Sequence, residues 1–580
     1  MLVLAAAAEP TGSLWDCGEF ISGAYKLQVV HPPGAPIFLL VGRLFTWVAS
    51  MVSSDPANIA YSVNLLSAIC TAFTATFICW STSILARLSV VERGEDPVGG
   101  QALAVAGAGL VAGLVTAFTS SIWFSAVEGE VYAMSTFFTA LTLWATLKWY
   151  NLPDTEDADR WLVFAVYASA LSIGVHLLSL LTFPALAMFY YFKKTKERTI
   201  GGTFIAAIVG VAFIVVVQKL IIAGIPSLWA SFDKFLVNNF GLPFYSGLVP
   251  VFLLFGGAIW YGLRRAQRTG NGLLQRIVVA LGVTVLAYMC YGTVIIRANA
   301  NPPINMNDPS DPMRLLPYLN REQYGERPLL RGPSFDAEPT AVESKDRYGR
   351  VGDHYAVVDE KVDYKYSSGD QILFPRMGDG SQGRPRLYRQ WIEEPSGVPT
   401  VSDNFEFFWK YQLGWMYGRY FMWNFSGRQN GEQGYYSWDP SSGNWITGFS
   451  FLDEPRIGNQ NELPDFQKNN QANNKYYLIP LLLGILGMFF HAFRSRTNLQ
   501  TSDRFLRTGG LLILLALVLK VFMNVANFDA YFLLVLLSGA AFLFVFMDAV
   551  KRSPEFAAIL VLFIITGIGI IVYSNQPPNE

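Results

Sequence analysis

Long apolar runs constrain this chain more than any other feature of its sequence. A helix of about 20 apolar residues covers a hydrocarbon core of about 30 Å, so each such run is a candidate transmembrane helix. Hydrophobic residues make up 52% of the chain and charged residues only 15%, which favours a membrane protein over a disordered or disulfide-framed one. The twelve candidate spans are residues 59–86, 102–124, 131–149, 161–177, 178–192, 203–223, 246–263, 275–296, 476–493, 508–527, 530–549 and 556–574.

Charge and short motifs exclude several classes of function. The chain carries 43 basic and 44 acidic residues, and without an excess of basic charge we expect no nucleic-acid partner. Its four cysteines predict neither a disulfide framework nor a zinc site. The sequence has no GxxxxGKS/T or HExxH pattern, which argues against ATP-driven and zinc-protease mechanisms.

Basic loops predict the orientation of the chain. Loops 193–198, 264–276 and 494–507 are rich in Lys and Arg and are therefore placed in the cytoplasm. Counting spans outward from them puts the first loop, a long insert and the C-terminus on the opposite side. The predicted domains are a remnant of a first transmembrane helix (1–8), an extracytoplasmic loop with interfacial helices and an acidic motif (9–58), a transmembrane core (59–296), an extracytoplasmic soluble insert (297–475), C-terminal transmembrane helices (476–574) and a truncated extracytoplasmic tail (575–580). The predicted fold class is an all-α polytopic membrane protein of about 12 to 13 transmembrane helices with one α+β or irregular insert domain.

Three segments leave alternatives open. Residues 1–8 are apolar but too short to span, and they fit the end of an incomplete helix better than a signal-peptide tail, because no basic residues precede them. Residues 34–52 contain Arg43 and follow a proline-rich stretch, so we expect them to lie in the membrane interface rather than to cross. Residues 405–430 carry aromatic side chains at near-helical spacing, which favours an amphipathic helix on the membrane face over an aromatic platform for a sugar or polypeptide.

Two acidic pairs are the main candidates for chemistry. Asp16 and Glu19 share one face if a helix begins there, although this spacing also suits an ordinary capping box. Glu128 and Glu130 follow a predicted span with no Lys or Arg nearby, and they could likewise cap the next helix. Because the inferred topology places both pairs on one side, we expect them to meet in one cavity, where carboxylates can act as a base, an acceptor-binding group or metal ligands.

Basic residues lie close in sequence to the first acidic pair. Lys26, His31 and Arg43 are candidates for binding a phosphate, because a guanidinium forms a bidentate fork with phosphate. Snorkelling to lipid headgroups explains an interfacial Arg equally well. We expect Asp16 and Arg43 to open into one groove at the membrane surface. His176 lies in an apolar context, where a histidine is more often structural than a ligand.

Five segments of the chain carry distinctive motifs, and the first of them is highly specific. The segments are SLWDCGEFISGAYKLQVVHPPGAPIFLLVGRLF (13–45), VEGEVYAMSTFF (127–138), GVHLLSLLTFPAL (174–186), RANANPPINMNDP (297–309) and YFMWNFSGRQNGEQG (420–434). They resemble the bacterial, mainly Bacteroidetes-type membrane family "domain of unknown function 2723", which is grouped with animal transmembrane O-mannosyltransferases of the GT-C glycosyltransferase class. More distantly, the acidic loop followed by His-Pro-Pro-Gly resembles the protein O-mannosyltransferases.

This resemblance implies a reaction and a role for each candidate residue. The reaction is the inverting transfer of a hexose, with mannose expected, from a polyprenyl-phosphate sugar to a Ser or Thr hydroxyl of an exported protein. Asp16 would be the general base and Glu19 its support. The donor phosphate would be bound by Lys26, His31 and Arg43. The acceptor or sugar side would be formed by Trp15, Glu128, Glu130 and His176.

The same resemblance implies a location and a set of partners. We expect a multi-pass protein of the bacterial inner membrane with its active site and insert facing the periplasm. Its partners would be membrane lipids, the polyprenyl-phosphate sugar, an exported acceptor protein and other proteins of a membrane complex. The donor carries its own leaving group, so no prosthetic group is expected, no metal site is predicted, and a divalent metal is left open. The alternatives are a lipid or solute transporter, which would place acidic residues in broken helices, and a noncatalytic subunit of an envelope complex.

Overall fold

The part of the chain that can be described is mostly helical. The computed structural model describes residues 1–91, 95–195, 199–325, 328, 330–381, 383–393 and 396–493. The helices before the insert are α1 (Leu2–Ala7), α2 (Cys17–Lys26), α3 (Pro36–Val52), α4 (Pro56–Val90), α5 (Gly100–Phe118), α6 (Ser120–Val127), α7 (Val131–Asn151), α8 (Glu156–Leu171), α9 (Phe183–Lys194), α10 (Ile200–Val216), α11 (Gly224–Phe240), α12 (Leu248–Thr269), α13 (Gly272–Tyr288) and α14 (Gly292–Asn299). Short 3₁₀ turns, Ser172–Gly174 and Leu177–Thr182, separate α8 from α9, and a π-helical segment, Val217–Ile222, joins α10 to α11.

The predicted number of transmembrane helices is not supported by this structure. Among the described residues, four helices are long and apolar enough to cross a membrane, namely Pro56–Val90, Gly100–Phe118, Gly201–Phe240 and Gly272–Asn299. The other predicted runs up to 493 also lie on helices, but several of these are short: α8 has 16 residues and α9 has 12, below the roughly 20 needed for a span. The last three predicted spans and the tail 575–580 lie outside the described residues.

The insert combines short helices with small sheets. Three two-stranded antiparallel sheets lie in its described part, pairing β1 with β4, β2 with β3, and β5 with β6. The strands are β1 (Arg331–Pro333), β2 (Ala341–Val351), β3 (His354–Lys365), β4 (Gln371–Leu373), β5 (Gly427–Arg428) and β6 (Asn474–Lys475). The helices are α15 (Pro312–Leu319), α16 (Arg384–Trp391), α17 (Val401–Phe407), α18 (Arg419–Phe425), α19 (Ser450–Ile457) and α20 (Asp465–Lys468), and α21 (Ile479–Phe493) follows the insert.

The aromatic segment 405–430 is helical for most of its length, with a π-helical stretch, Phe408–Gly418, between α17 and α18. Its inner face forms part of the core of the insert, where Trp415 and Trp423 are buried around the guanidinium of Arg419. Trp409 on the same segment is exposed. The buried aromatic side chains are therefore packing residues, whichever surface the exposed ones meet.

A hydrophobic core holds the first loop against the helices that follow it. Phe20 of α2 and Phe38 of α3 are buried with Met134 of α7 in one cluster. Helices α2 and α3 approach closely because Gly42 has no side chain: a Cβ there would stand 2.8 Å from the Cβ of Ala24. This packing holds the acidic turn at the start of α2 close to the start of α7.

The beginning of the insert packs on the first loop. The backbone of Val29 exchanges two hydrogen bonds with residues 304 and 306, at 3.0 Å each. The hydroxyl of Tyr318 in α15 donates to the carbonyl of Val30 at 2.5 Å. Tyr318 is fully buried, so this contact is part of the core. The insert therefore completes the surroundings of the first loop.

Candidate active site

One cavity of about 1150 Å³ brings the two acidic pairs together. It lies between the start of α2, the loop that follows α2, the turn before α7 and the turns between α8 and α9. Seven of the nine predicted site residues line it. They are Trp15, Asp16, Glu19, His31, Glu128, Glu130 and His176.

Asp16 lines this cavity just before the first residue of α2. It occupies the N-cap position of α2, but its side chain makes no capping hydrogen bond. The side chain is 59% exposed, and its Oδ2 lies 3.9 Å from Nε2 of His31. The capping box that the spacing also allowed is not formed, because the Glu19 carboxylate binds His31 instead of the backbone of Asp16. Asp16 is thus held at a helix start with its carboxylate open to the cavity.

Glu19 orients the imidazole of His31. One carboxylate oxygen accepts the backbone N–H of His31 at 2.8 Å, and the other lies 2.7 Å from Nδ1. Burial alone would lower the pKa of His31, but the hydrogen bond and charge of Glu19, together with the charge of Asp16, outweigh burial and raise the pKa above its usual value. With Nδ1 directed at Glu19, Nε2 faces Asp16. Such a carboxylate–imidazole pair presents one nitrogen in a defined direction.

Glu128 and Glu130 also line the cavity. Ser13 donates to the carboxylate of Glu128 at 2.8 Å. Glu130 is only 4% exposed, and burial, followed by the charges of Asp16 and Glu128, raises its pKa to about 8. Glu130 is therefore mainly protonated at neutral pH and can donate a hydrogen bond into the cavity.

His176 and Tyr132 lie side by side at the cavity wall, with ring centroids 5.5 Å apart. The Nδ1 of His176 accepts the backbone N–H of Leu178 at 3.3 Å, which caps the second 3₁₀ turn. His176 is thus held by a backbone contact, as expected of a structural histidine, while its ring also lines the cavity.

Arg321 is a cavity residue that the sequence analysis missed. It follows α15 in a left-handed backbone conformation, with φ of 57°. It lines the same cavity as Asp16, and its charge acts to lower the pKa of His31. No motif marks Arg321 in the sequence. Only the packing of α15 on the first loop through Tyr318 brings it here.

Lys26 and Arg43 do not reach this cavity. They line a second cavity of about 590 Å³ together with Arg297. Asp16 is the N-cap residue immediately before α2 and Lys26 is the last residue of the helix, and a helix of 10 residues is about 15 Å long. The expectation that Asp16 and Arg43 open into one groove is therefore not met, because they flank opposite ends of the same helix.

Asp16, Glu19 and His31 also have the composition of a cation site, which the sequence analysis did not predict. One ligand atom from each residue lies within 4.8 Å of the others. Oxygen and imidazole ligands suit a divalent cation. However, both oxygens of Glu19 are engaged with His31. The hydrogen bonds therefore favour an oriented imidazole over a metal ligand set.

One segment of the chain is similar to a known protein family. Residues 16–199 match the family model "Protein O-mannosyl-transferase TMEM260 N-terminal domain". The resemblance to O-mannosyltransferases is confirmed for that segment, which contains all the predicted site residues except Trp15. Residues 325–409 match a separate family of unknown function, DUF8416.

Two curated relatives each match part of the chain. Protein O-mannosyl-transferase TMEM260 of Mus musculus is 24% identical over 183 residues, which is 32% of this chain and 23% of the relative. Protein O-mannosyl-transferase tmem260 of Dictyostelium discoideum is 23% identical over 152 residues, covering 26% of this chain and 16% of the relative. Each match thus spans less than a quarter of the length of the relative concerned. No solved structure matches the chain.

Proposed function

We propose that this protein is a GT-C-type membrane glycosyltransferase that transfers a hexose, mannose, from a polyprenyl-phosphate sugar to Ser or Thr hydroxyls of an exported protein. The observation that carries the proposal is the convergence of Asp16, the Glu19–His31 pair and Glu130 on one cavity. The similarity of residues 16–199 to protein O-mannosyltransferases supports the same reaction class. In this proposal the protein lies in the bacterial inner membrane, with the cavity and the insert facing the periplasm.

The proposed mechanism is a single displacement with inversion at the anomeric carbon. The acceptor hydroxyl oxygen attacks C1 of the sugar while the Asp16 carboxylate takes its proton. The bond between C1 and the phosphate oxygen breaks, and the polyprenyl phosphate leaves with the bonding electron pair. Asp16 suits the base because its carboxylate faces the cavity without a capping bond.

Cationic and neutral donors in the cavity would stabilise the departing phosphate. We assign this role to His31 and Arg321, because they line the cavity of Asp16 whereas Lys26 and Arg43 do not. Protonated Glu130 would donate a hydrogen bond to the sugar or to the phosphate. Trp15, Glu128 and His176 would line the acceptor or sugar side. The donor supplies its own leaving group, so these steps need no prosthetic group.

The decisive test replaces Asp16 with asparagine, which keeps the size of the side chain but removes the base. We expect transfer to fall by about 10²- to 10⁴-fold. The matched control is Asp465→Asn, since Asp465 is exposed on α20 and is not part of the cavity lining. The assay supplies a polyprenyl-phosphate hexose and an exported acceptor, and glycopeptides are counted by mass spectrometry.

Equal transfer by both variants would show that Asp16 is not the base. No transfer by the wild-type protein with several donors would instead favour the noncatalytic alternative.

A further inference from the structure

The second cavity, at the C-terminal end of α2, is strongly cationic. Its side chains include Lys26, Arg43 and Arg297, and among the residues that the structure describes no carboxylate lines it. Tyr25 and Asn301 contribute further polar groups. Three positive charges without an acidic partner in the lining favour an anionic ligand.

The two guanidinium groups are held in place by the backbone of α2. Arg43 donates to the carbonyl of Tyr25, and Arg297 donates to the carbonyls of Leu27, at 2.6 Å, and Lys26, at 3.1 Å. A guanidinium carries five N–H donors, so these contacts leave donors for a ligand. Fixed guanidinium groups lose little freedom on binding, which suits recognition of a phosphate.

An apolar helix face begins beside this cavity. Leu44 and Trp47 follow Arg43 along α3 and are exposed, and so are three large apolar residues nearer the end of the helix, Val48, Met51 and Val52. The ring of Tyr25 lies 5.6 Å from the guanidinium carbon of Arg43. Tyr and Trp near exposed apolar residues are typical of the membrane interface, at the depth of lipid headgroups.

We propose that this cavity binds the phosphodiester headgroup of a bilayer phospholipid, with the acyl chains lying along the exposed face of α3. Lys26, Arg43 and Arg297 bind the phosphate. The site is separate from the cavity of Asp16 and does not depend on the proposed transferase activity. The lipid would hold the C-terminal end of α2 and the start of α3 at the membrane surface.

Binding to purified full-length protein in a neutral detergent tests this proposal. The probes are dioleoyl phosphatidylglycerol, dioleoylglycerol, which has the same chains without phosphate, and inorganic phosphate. Native mass spectrometry and the shift of Tm measure binding. We expect only phosphatidylglycerol to bind at micromolar concentration and to raise Tm.

Two charge-removing variants and one control locate the site. Lys26→Gln removes the charge of an exposed side chain and should weaken phosphatidylglycerol binding about three- to tenfold. Arg43→Gln should weaken this binding by about tenfold or more. Arg268→Gln removes an exposed positive charge near the end of α12, outside the cavity, and should change binding less than twofold. If Arg43→Gln does not fold, Lys26→Gln alone decides the comparison.

Four outcomes would overturn the proposal. Equal weakening by Lys26→Gln and Arg268→Gln would indicate general charge attraction. Equal binding of dioleoylglycerol would show that the phosphate is not recognised. Binding of inorganic phosphate at the same concentration would identify a free-anion site. Displacement of phosphatidylglycerol by equimolar polyprenyl phosphate would assign the cavity to the donor of the proposed reaction.

Discussion

The protonation of Glu130 makes the candidate site sensitive to pH in a defined direction. Its pKa is raised from 4.5 to about 8 in the folded protein, by burial first and then by Asp16 and Glu128. At a pH between these two pKa values, Glu130 is therefore protonated in the folded state and ionised in the unfolded state. Because the unfolded state loses this proton at a lower pH than the folded state does, the free energy of unfolding falls as the pH rises between the two pKa values. Over the full pKa difference the free energy of unfolding falls by on the order of 5 kcal/mol, and by pH 7 it has fallen by about 3 kcal/mol.

Glu130→Gln should remove this dependence, because glutamine keeps the neutral form of the side chain at every pH. We expect the variant to match the wild-type protein near pH 4.5 and to become progressively more stable than it up to about pH 8. Tm is measured by intrinsic fluorescence in one detergent across this range. Glu338→Gln, at an exposed position in the insert, is the control and should give a constant Tm difference. A Glu130→Gln effect that does not change with pH would refute the proposed protonation.

Three further predictions concern the cavity and its support. Glu19→Gln should lower the pKa of His31 towards its ordinary value, because it removes the charge that raises it, and NMR titration of the imidazole would measure this shift. An unchanged titration would show that Glu19 does not set the protonation of His31. Arg321→Gln should raise the KM for the polyprenyl-phosphate donor about tenfold or more, whereas Arg268→Gln should not, and equal KM values would remove Arg321 from the phosphate site. Gly42→Val should lower the free energy of unfolding by about 1 to 3 kcal/mol, because its side chain would displace α2, and an unchanged Tm would contradict that close packing.

Much of the candidate site could be predicted from the sequence because its key contacts are local. Asp16 and Glu19 lie one helical turn apart, and His31 follows only 12 residues after Glu19. The prediction that Glu128 and Glu130 would join them also agrees with the shared cavity. The protonation of Glu130 was not foreseen, since it depends on burial by surrounding elements.

Two differences between the expected and the observed cavity linings have a common origin in distance along the chain. Lys26 and Arg43 are near Asp16 in sequence, yet α2 separates them from it by its whole length. Arg321 is remote in sequence, yet it lines the cavity of Asp16. Short sequence separation does not specify which end of a helix a side chain approaches, and no spacing rule connects residues some 300 positions apart.

The sequence by itself determined the helical, membrane-type composition, the helix that begins at the acidic turn and the residue types of the candidate site. These features depend on hydrophobic content and on the periodicity of a single helix, which neighbouring residues specify. The tertiary structure decided that the basic residues form two groups, one at each end of α2. It did so through long-range contacts, such as the buried hydrogen bond from Tyr318 to Val30, 288 residues earlier in the chain. Contacts of this kind form only when many elements pack together in mutually compatible positions. The core that holds α2, α3 and α15 together therefore determines which basic residues lie at each end of α2.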